Sequence, residues 1–220
     1  MAATRRPRSR AHPPPPTPPT TRPRRPRSRL CGPSPASRST ATPPTHPVLV
    51  TKVDNTSSSS PQIGSGSADM VVEELVEGGM TRLAAFYYSE VPSVVGPVRS
   101  MRAASDIGIV PTGAHVITSG AAAVTPARVK KAGIPFVTEG AKGVYREDSR
   151  SAPYNLFSHP DVIAKGIKGG DAPKPYLDFG SEDDFPGGKK ARSLTASFGG
   201  HTTSWAFPGR HLRQHQLLRR

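Results

Sequence analysis

One stretch limits what this chain can become: SADMVVEELVEGGMTRLAAFYYSEVPSVVGPVRSMR, from Ser67 to Arg102. Met70–Leu75 and Thr81–Tyr88 are short apolar runs bounded by Gly78–Gly79 and by Pro92, and such runs read as two buried strands joined in a hairpin. Val72, Leu75 and Val76 would also fit helical spacing. The β-branched content and the turn on either side favour strand. A hairpin this apolar cannot stand alone, so the rest of the ordered chain has to cover it.

The flanking segments supply that cover. Val48–Val53 reads as a β-branched strand ending at the turn pair Asp54–Asn55. Val98–Ile109 reads as a short helix that would set Arg99, Arg102 and Asp106 at i, i+3 and i+7 on one face. Ala114–Thr118 is a further strand. Thr125–Pro126 opens a helix to Lys131, and Pro135–Thr138 is another strand. Glu139–Arg150 reads as a charged, Gly-bearing loop, and Asp161–Lys168 as a helix capped by Ser158–Pro160. Strands alternating with short helices predict an α/β fold with a mixed sheet. Gly169–Gly188 is a polar connector. Ser193–Phe198 and Thr202–Phe207 are β segments that begin a smaller β-rich part, with Trp205 as an anchor. HLRQHQLLRR at the end shows no strand periodicity, leaving those segments without an obvious partner. The expected organisation is a tail over 1–47, an α/β domain over 48–168, and a connector with a truncated β-rich part over 169–220.

The net charge of +14 invites a nucleic-acid reading. Its distribution argues against that. Residues 1–47 hold ten arginines and no acid, and residues 210–220 hold four arginines and no acid, leaving 16 basic against 16 acidic residues between them. The middle is neutral, so nucleic acid is set aside as a partner. The first 47 residues also carry 14 of the 26 prolines. That composition cannot bury enough apolar surface to offset backbone ordering, and a disordered, locally polyproline II tail is expected. No apolar run reaches the length of a membrane span or of a signal sequence. Cys31 is the one cysteine, which excludes an internal disulfide and a multi-cysteine metal site. No cofactor fingerprint and no metal-binding motif is present, since GxGxxG, GxxxxGK[ST] and HExxH are all missing.

The candidate site residues follow from chemistry. Arg82, Arg99 and Arg102 present planar, permanent charges suited to carboxylate or phosphate and flank glycine-bearing loops. The alternative is internal pairing with Glu73, Glu77 or Asp106. Glu73, Glu74 and Glu77 are the acidic candidates. Adjacent strand residues face opposite ways, so at most one of Glu73 and Glu74 lines any pocket. Ser119 ends a strand where backbone N–H groups can meet an anion. Arg150 and Asn155, in RSAPYNLF, read as a binding lip.

Taken in order, VTKVDNTSSSSPQIGSGSADMVVEELVEGGMTRLAAFYYSEVPSVVGPVRSMR, VITSG and RSAPYNLF resemble the YerB-type family, bacterial cell-envelope lipoproteins of unknown function, over about residues 48–207. The resemblance implies an α/β N-terminal domain followed by a smaller β-rich one, held outside the membrane by an N-terminal lipid. No signal or lipid-attachment context is encoded in the sequence as given, which reads as a fragment or a misread start. The resemblance brings no established catalytic residues. The expected function is non-catalytic binding of an anionic or glycan-like envelope ligand. The alternative is an enzyme acting on a phosphate-containing envelope precursor, with Glu74 or Asp106 as base or metal ligand.

Overall fold

The computed structural model describes residues 46–111, 113–168 and 191–206, together with the backbone of 213–217. The expected disordered tail falls outside the described residues except at positions 46 and 47, and so does the connector over 169–188. The strand read from the hydrophobic run is β1 (Leu49–Asp54), and the hairpin is β2 (Met70–Leu75) and β3 (Thr81–Tyr87). The chain continues through α1 (Ala103–Ile109), β4 (His115–Ile117), α2 (Thr125–Lys131) and β5 (Phe136–Val137). Then come β6 (Val144–Arg146), β7 (Leu156–Ser158), α3 (Pro160–Gly166), β8 (Ser193–Ser197), β9 (Thr202–Ala206) and β10 (Arg213–Leu217).

The main sheet has the order β2-β3-β1-β4-β5. β1 is its axis, antiparallel to β3 on one side and parallel to β4 on the other. The β4–α2–β5 unit is a parallel crossover, so the expected α/β class with a mixed sheet is what forms. Strand alternation sorts side chains onto two faces. Val50, Ala84 and Phe86 pack with Met101, Val110, Val129 and Ile134 on the side of α1 and α2. Leu49, Val53, Ala85 and Tyr87 pack with Val95, Leu156 and Ile163 on the side of the β6–β7 hairpin and α3.

Three sequence expectations are corrected. The helix over Val98–Ile109 begins only at Ala103. Pro97 and Val98 instead continue the sheet beyond the point where β4 ends. Asp54 N–H bonds Pro97 C=O at 3.0 Å, Arg99 N–H bonds Lys52 C=O at 2.8 Å, and Val98 N–H bonds Leu156 C=O at 2.7 Å. These ladder bonds hold Arg99 extended, so Arg99, Arg102 and Asp106 do not share a helix face. The loop over Glu139–Arg150 contains β6, which pairs with β7 inside the stretch read as a binding lip. Finally, the β segments near the end are not left unpaired. β9 lies between β8 and β10 in a three-stranded antiparallel sheet, and the backbone of 213–217 forms a strand despite its polar sequence.

The strap over Val95–Val98 is pressed against β7 at one glycine. A Cβ on Gly96 would lie 2.5 Å from the Phe157 ring, and that ring is 1% exposed. Gly96→Ala is therefore expected to lower stability by roughly 1–3 kcal/mol through overpacking, measured as a lower urea midpoint at unchanged slope. Full retention of the midpoint would contradict this packing.

Candidate functional site

The helix-facing side of the sheet turns from apolar to charged as β1 approaches its C-terminal end. Lys52 follows Val50 on that face and is fully buried. Its Nζ lies 2.6 Å from Glu74 Oε1 on β2 and 2.6 Å from Asp106 Oδ1 on α1. The other oxygens are taken as well. Ser105 Oγ donates to Glu74 Oε2 at 2.8 Å, and the Arg102 backbone N–H donates to Asp106 Oδ2 at 2.5 Å. A buried ammonium needs such a closed shell of acceptors, because an unpaired charge in the interior costs several kcal/mol. The triad therefore fixes α1 over the sheet and fixes Arg102, the residue just before α1.

The next row toward the strand end holds Asp54, Arg82 and Glu74 side by side across β1, β3 and β2. Arg82 is 7% exposed. Its one hydrogen bond among the described residues runs from Nη1 to the Ser100 carbonyl at 3.1 Å. Burial lowers the Arg82 pKa, and the neighbouring charges of Arg102 and then Arg99 lower it further. Arg99 pairs with Asp54 at 2.9 Å, donates to Pro153 C=O at 3.2 Å and lies 5.5 Å from the Tyr154 ring centre. Asp54 Oδ1 in turn accepts from the backbone N–H and hydroxyl of Thr56 at 2.7 and 2.6 Å. Arg82, Arg99, Asp54, Thr56 and Tyr154 surround a cleft of about 80 Å³. That is the space of a few waters or one compact anion.

Arg102 stands outside this cleft and lines a neighbouring hollow. It grips Glu77 with two N–H donors, both at 2.7 Å. That hydrogen bonding holds the Glu77 carboxyl at a pKa of about 2. Two of the three predicted arginines thus have a carboxylate partner: Arg102 pairs with Glu77, as the internal-pairing alternative expects, and Arg99 with Asp54, an acid outside that expectation. Arg82, the most buried, has none within salt-bridge distance among the described residues.

The remaining predicted residues divide. Glu73 and Glu74 face opposite sides of β2, as strand alternation demands. Glu73 Oε1 accepts from Asn55 at 3.0 Å, from Thr81 and Thr203 at 2.8 Å each, and lies 3.2 Å from His201 Nε2. It ties the β8–β9 hairpin to the main sheet, far from any pocket role. Asp106 is enclosed in the Lys52 triad rather than open to the cleft. Ser119 sits beside the site, with its Oγ 3.5 Å from Ser100 Oγ. Arg150 and Asn155 do not reach it. Arg150 donates to Ser59 and Pro61 carbonyls and lies over Phe157, while Asn155 Oδ1 accepts from Arg146. Of the stretch read as a lip, Tyr154 lines the cleft and the Pro153 carbonyl accepts from Arg99. Lys52, Asp54, Ser100 and Tyr154 were missed. A lysine inside VLVTKVD was the available signal, since a charge in a buried strand demands partners elsewhere. Among the described residues, no three His, Cys, Asp or Glu side chains stand together as metal ligands, and no helix is long and apolar enough to cross a membrane.

A mixed sheet whose strand ends carry a cluster of arginines defines an α/β domain with a small polar cleft. The chain belongs to the family described as "Protein of unknown function (DUF3048) N-terminal domain", which matches residues 34–172. It is 48% identical over 56 residues to the Bacillus subtilis (strain 168) protein named "Putative lipoprotein YerB", an overlap of 26% of this chain and 17% of that protein. The crystal structure of the YerB protein from Bacillus subtilis matches with a TM-score of 0.64 at 21% identity, covering 78% of this chain and 61% of that one. The likeness to that structure shows the fold, and the chain spans less than two thirds of either relative. The YerB-type resemblance read from EELVEGGMTR and VGPVRSMR is thereby established.

Two outcomes follow from the charge network. Lys52→Met leaves two buried carboxylates facing each other and is expected to cost about 3–5 kcal/mol, read by urea unfolding. Adding Glu74→Gln and Asp106→Asn should recover part of the loss, whereas a single variant as stable as wild type would contradict the triad. The Glu77 carboxyl has a folded-state pKa below its ordinary 4.5, so its contribution is present above pH 4.5 and is lost as pH falls toward 2. Unfolding of wild type and Glu77→Gln across pH 2–6 should converge at the acid end, and a constant difference would refute the Arg102 pairing.

Proposed function

We propose that this domain is a non-catalytic binding module of the cell envelope, and that its ligand presents an anionic group to Arg82 and Arg99. The observation that carries the reading is Arg82. The residue is 7% exposed, its guanidinium has a single carbonyl acceptor among the described residues, and it lines a cleft of anion size. A guanidinium with N–H groups left open to a cleft gains most from a charge-assisted, bidentate anion. The position supports the same reading, because ligands of open α/β sheets sit outside the carboxyl ends of the parallel strands, and the cleft lies at that end of β1. The envelope location rests on the relative named a lipoprotein; membrane attachment through a lipid is part of the proposal and not a property of the residues described.

The enzymatic alternative finds less support. A general base or metal ligand needs a lone pair turned toward the substrate. Glu74 and Asp106 are buried, and their oxygens already accept from Lys52, Ser105 and the Arg102 backbone, so no lone pair of theirs meets solvent.

Isothermal titration of the full chain with inorganic phosphate tests the reading. Wild type is expected to bind with an affinity that falls as salt is raised. Arg82→Gln and Arg99→Gln should each weaken it by about tenfold or more, the loss of a charged hydrogen-bond partner of about 1.4 kcal/mol. Far-ultraviolet circular dichroism confirms that the variants fold. Equal binding by the folded variants, or none by wild type, would overturn it.

A further inference from the structure

A second hollow adjoins the first. It is more open, about 320 Å³, and lies over the start of α1 and α2. Its lining includes the small side chains of Ala103, Ala104 and Ala122, with Thr125, Glu77, Arg102 and Arg128. Three connections join the hollows. Ser100 lines the second while its carbonyl receives the Arg82 N–H of the first. Val76 lines the first and its neighbour Glu77 the second. Arg102 stands near enough to Arg82 to lower its pKa.

The two hollows differ in chemistry. The first is tight, with a net positive wall, and suits one compact anion. The second has three alanine side chains in its lining and a carboxylate already held against a guanidinium, 2.7 Å at both contacts. A Glu–Arg pair offers acceptors and donors together, which is the complement of vicinal hydroxyls, each a donor and an acceptor at once. The alanine methyl groups suit the C–H face of a sugar ring. Glu77, Arg102 and Arg128 leave this hollow as positive as Asp54, Arg82 and Arg99 leave the first, so its alanine side chains and not its charge set it apart. Arg128 is exposed on α2, its side chain makes no hydrogen bond or ion pair among the described residues, and it lines the same hollow.

Building on the anion reading above, we propose that the ligand is a phosphorylated saccharide, its phosphate at Arg82 and Arg99 and its adjoining sugar ring on the alanine side chains against Glu77 and Arg102. The anionic and the glycan-like readings are then one ligand seen from two ends. No bond is made or broken.

The test is a set of titrations of the full chain with inorganic phosphate, glucose, glucose 1-phosphate and pyrophosphate. Glucose 1-phosphate is expected to bind about tenfold or more tighter than phosphate, because the ring adds hydrogen bonds and apolar contact. Pyrophosphate should gain less than glucose 1-phosphate. Ala104→Leu, at an exposed helix position that a leucine tolerates, should shrink the preference for glucose 1-phosphate over phosphate to about twofold or less. Glu77→Gln should shrink it as well. If phosphate binds but glucose 1-phosphate binds no tighter, or if the preference survives Ala104→Leu, the saccharide assignment is overturned while the anion site stands. If phosphate itself does not bind wild type, the anion reading fails and the saccharide assignment falls with it.

Discussion

The buried ammonium of Lys52 organises this fold. It joins β1, β2 and α1 through two carboxylates at 2.6 Å each, and the helix start that it pins carries Arg102. A lysine and two acids at the centre of a small domain are poor material for stability alone, since well-packed apolar side chains usually do as well. What they provide is geometry. The triad dictates how α1 crosses the sheet, and so where Ser100 and Arg102 stand relative to Arg82. The arginine cluster lies one strand row beyond the triad, and its shape is inherited from it.

The charged row also explains why the main sheet is open at one end. β4 pairs with β1 only as far as Thr51. Beyond that, Pro97–Arg99 takes over the β1 backbone groups and turns Arg99 toward Asp54. A helix through this stretch could not have done so. The extended strap lets three arginines approach from three directions: β3, the strap and the residue before α1. On a single helix Arg99 and Arg102 would have shared one face and repelled each other.

Much of this was legible in the sequence. The hairpin, β1, α2 and α3 follow from apolar runs and turn residues, with ends displaced by a residue or two. The opposed faces of Glu73 and Glu74 follow from strand alternation, and the arginines were marked by their chemistry. What was not legible depends on long-range partners. The helix assigned to Val98–Met101 fails because backbone bonds to Lys52, Asp54 and Leu156 outweigh local preference. β10 forms because β9 offers a free edge, which its own polar sequence cannot reveal. Asn155 was chosen for its residue type, whereas the cleft uses its neighbour Tyr154, an aromatic whose position beside Arg99 only the fold decides.

The central claim is that Arg82 is held under-partnered for an anion. A crystal structure grown in phosphate tests it most directly. The account predicts a tetrahedral anion within hydrogen-bonding distance of both Arg82 and Arg99, with the Lys52 triad unchanged and the Arg82 bond to Ser100 retained. A cleft holding only water, or an Arg82 side chain turned to pair with Asp54 or Glu74, would contradict it.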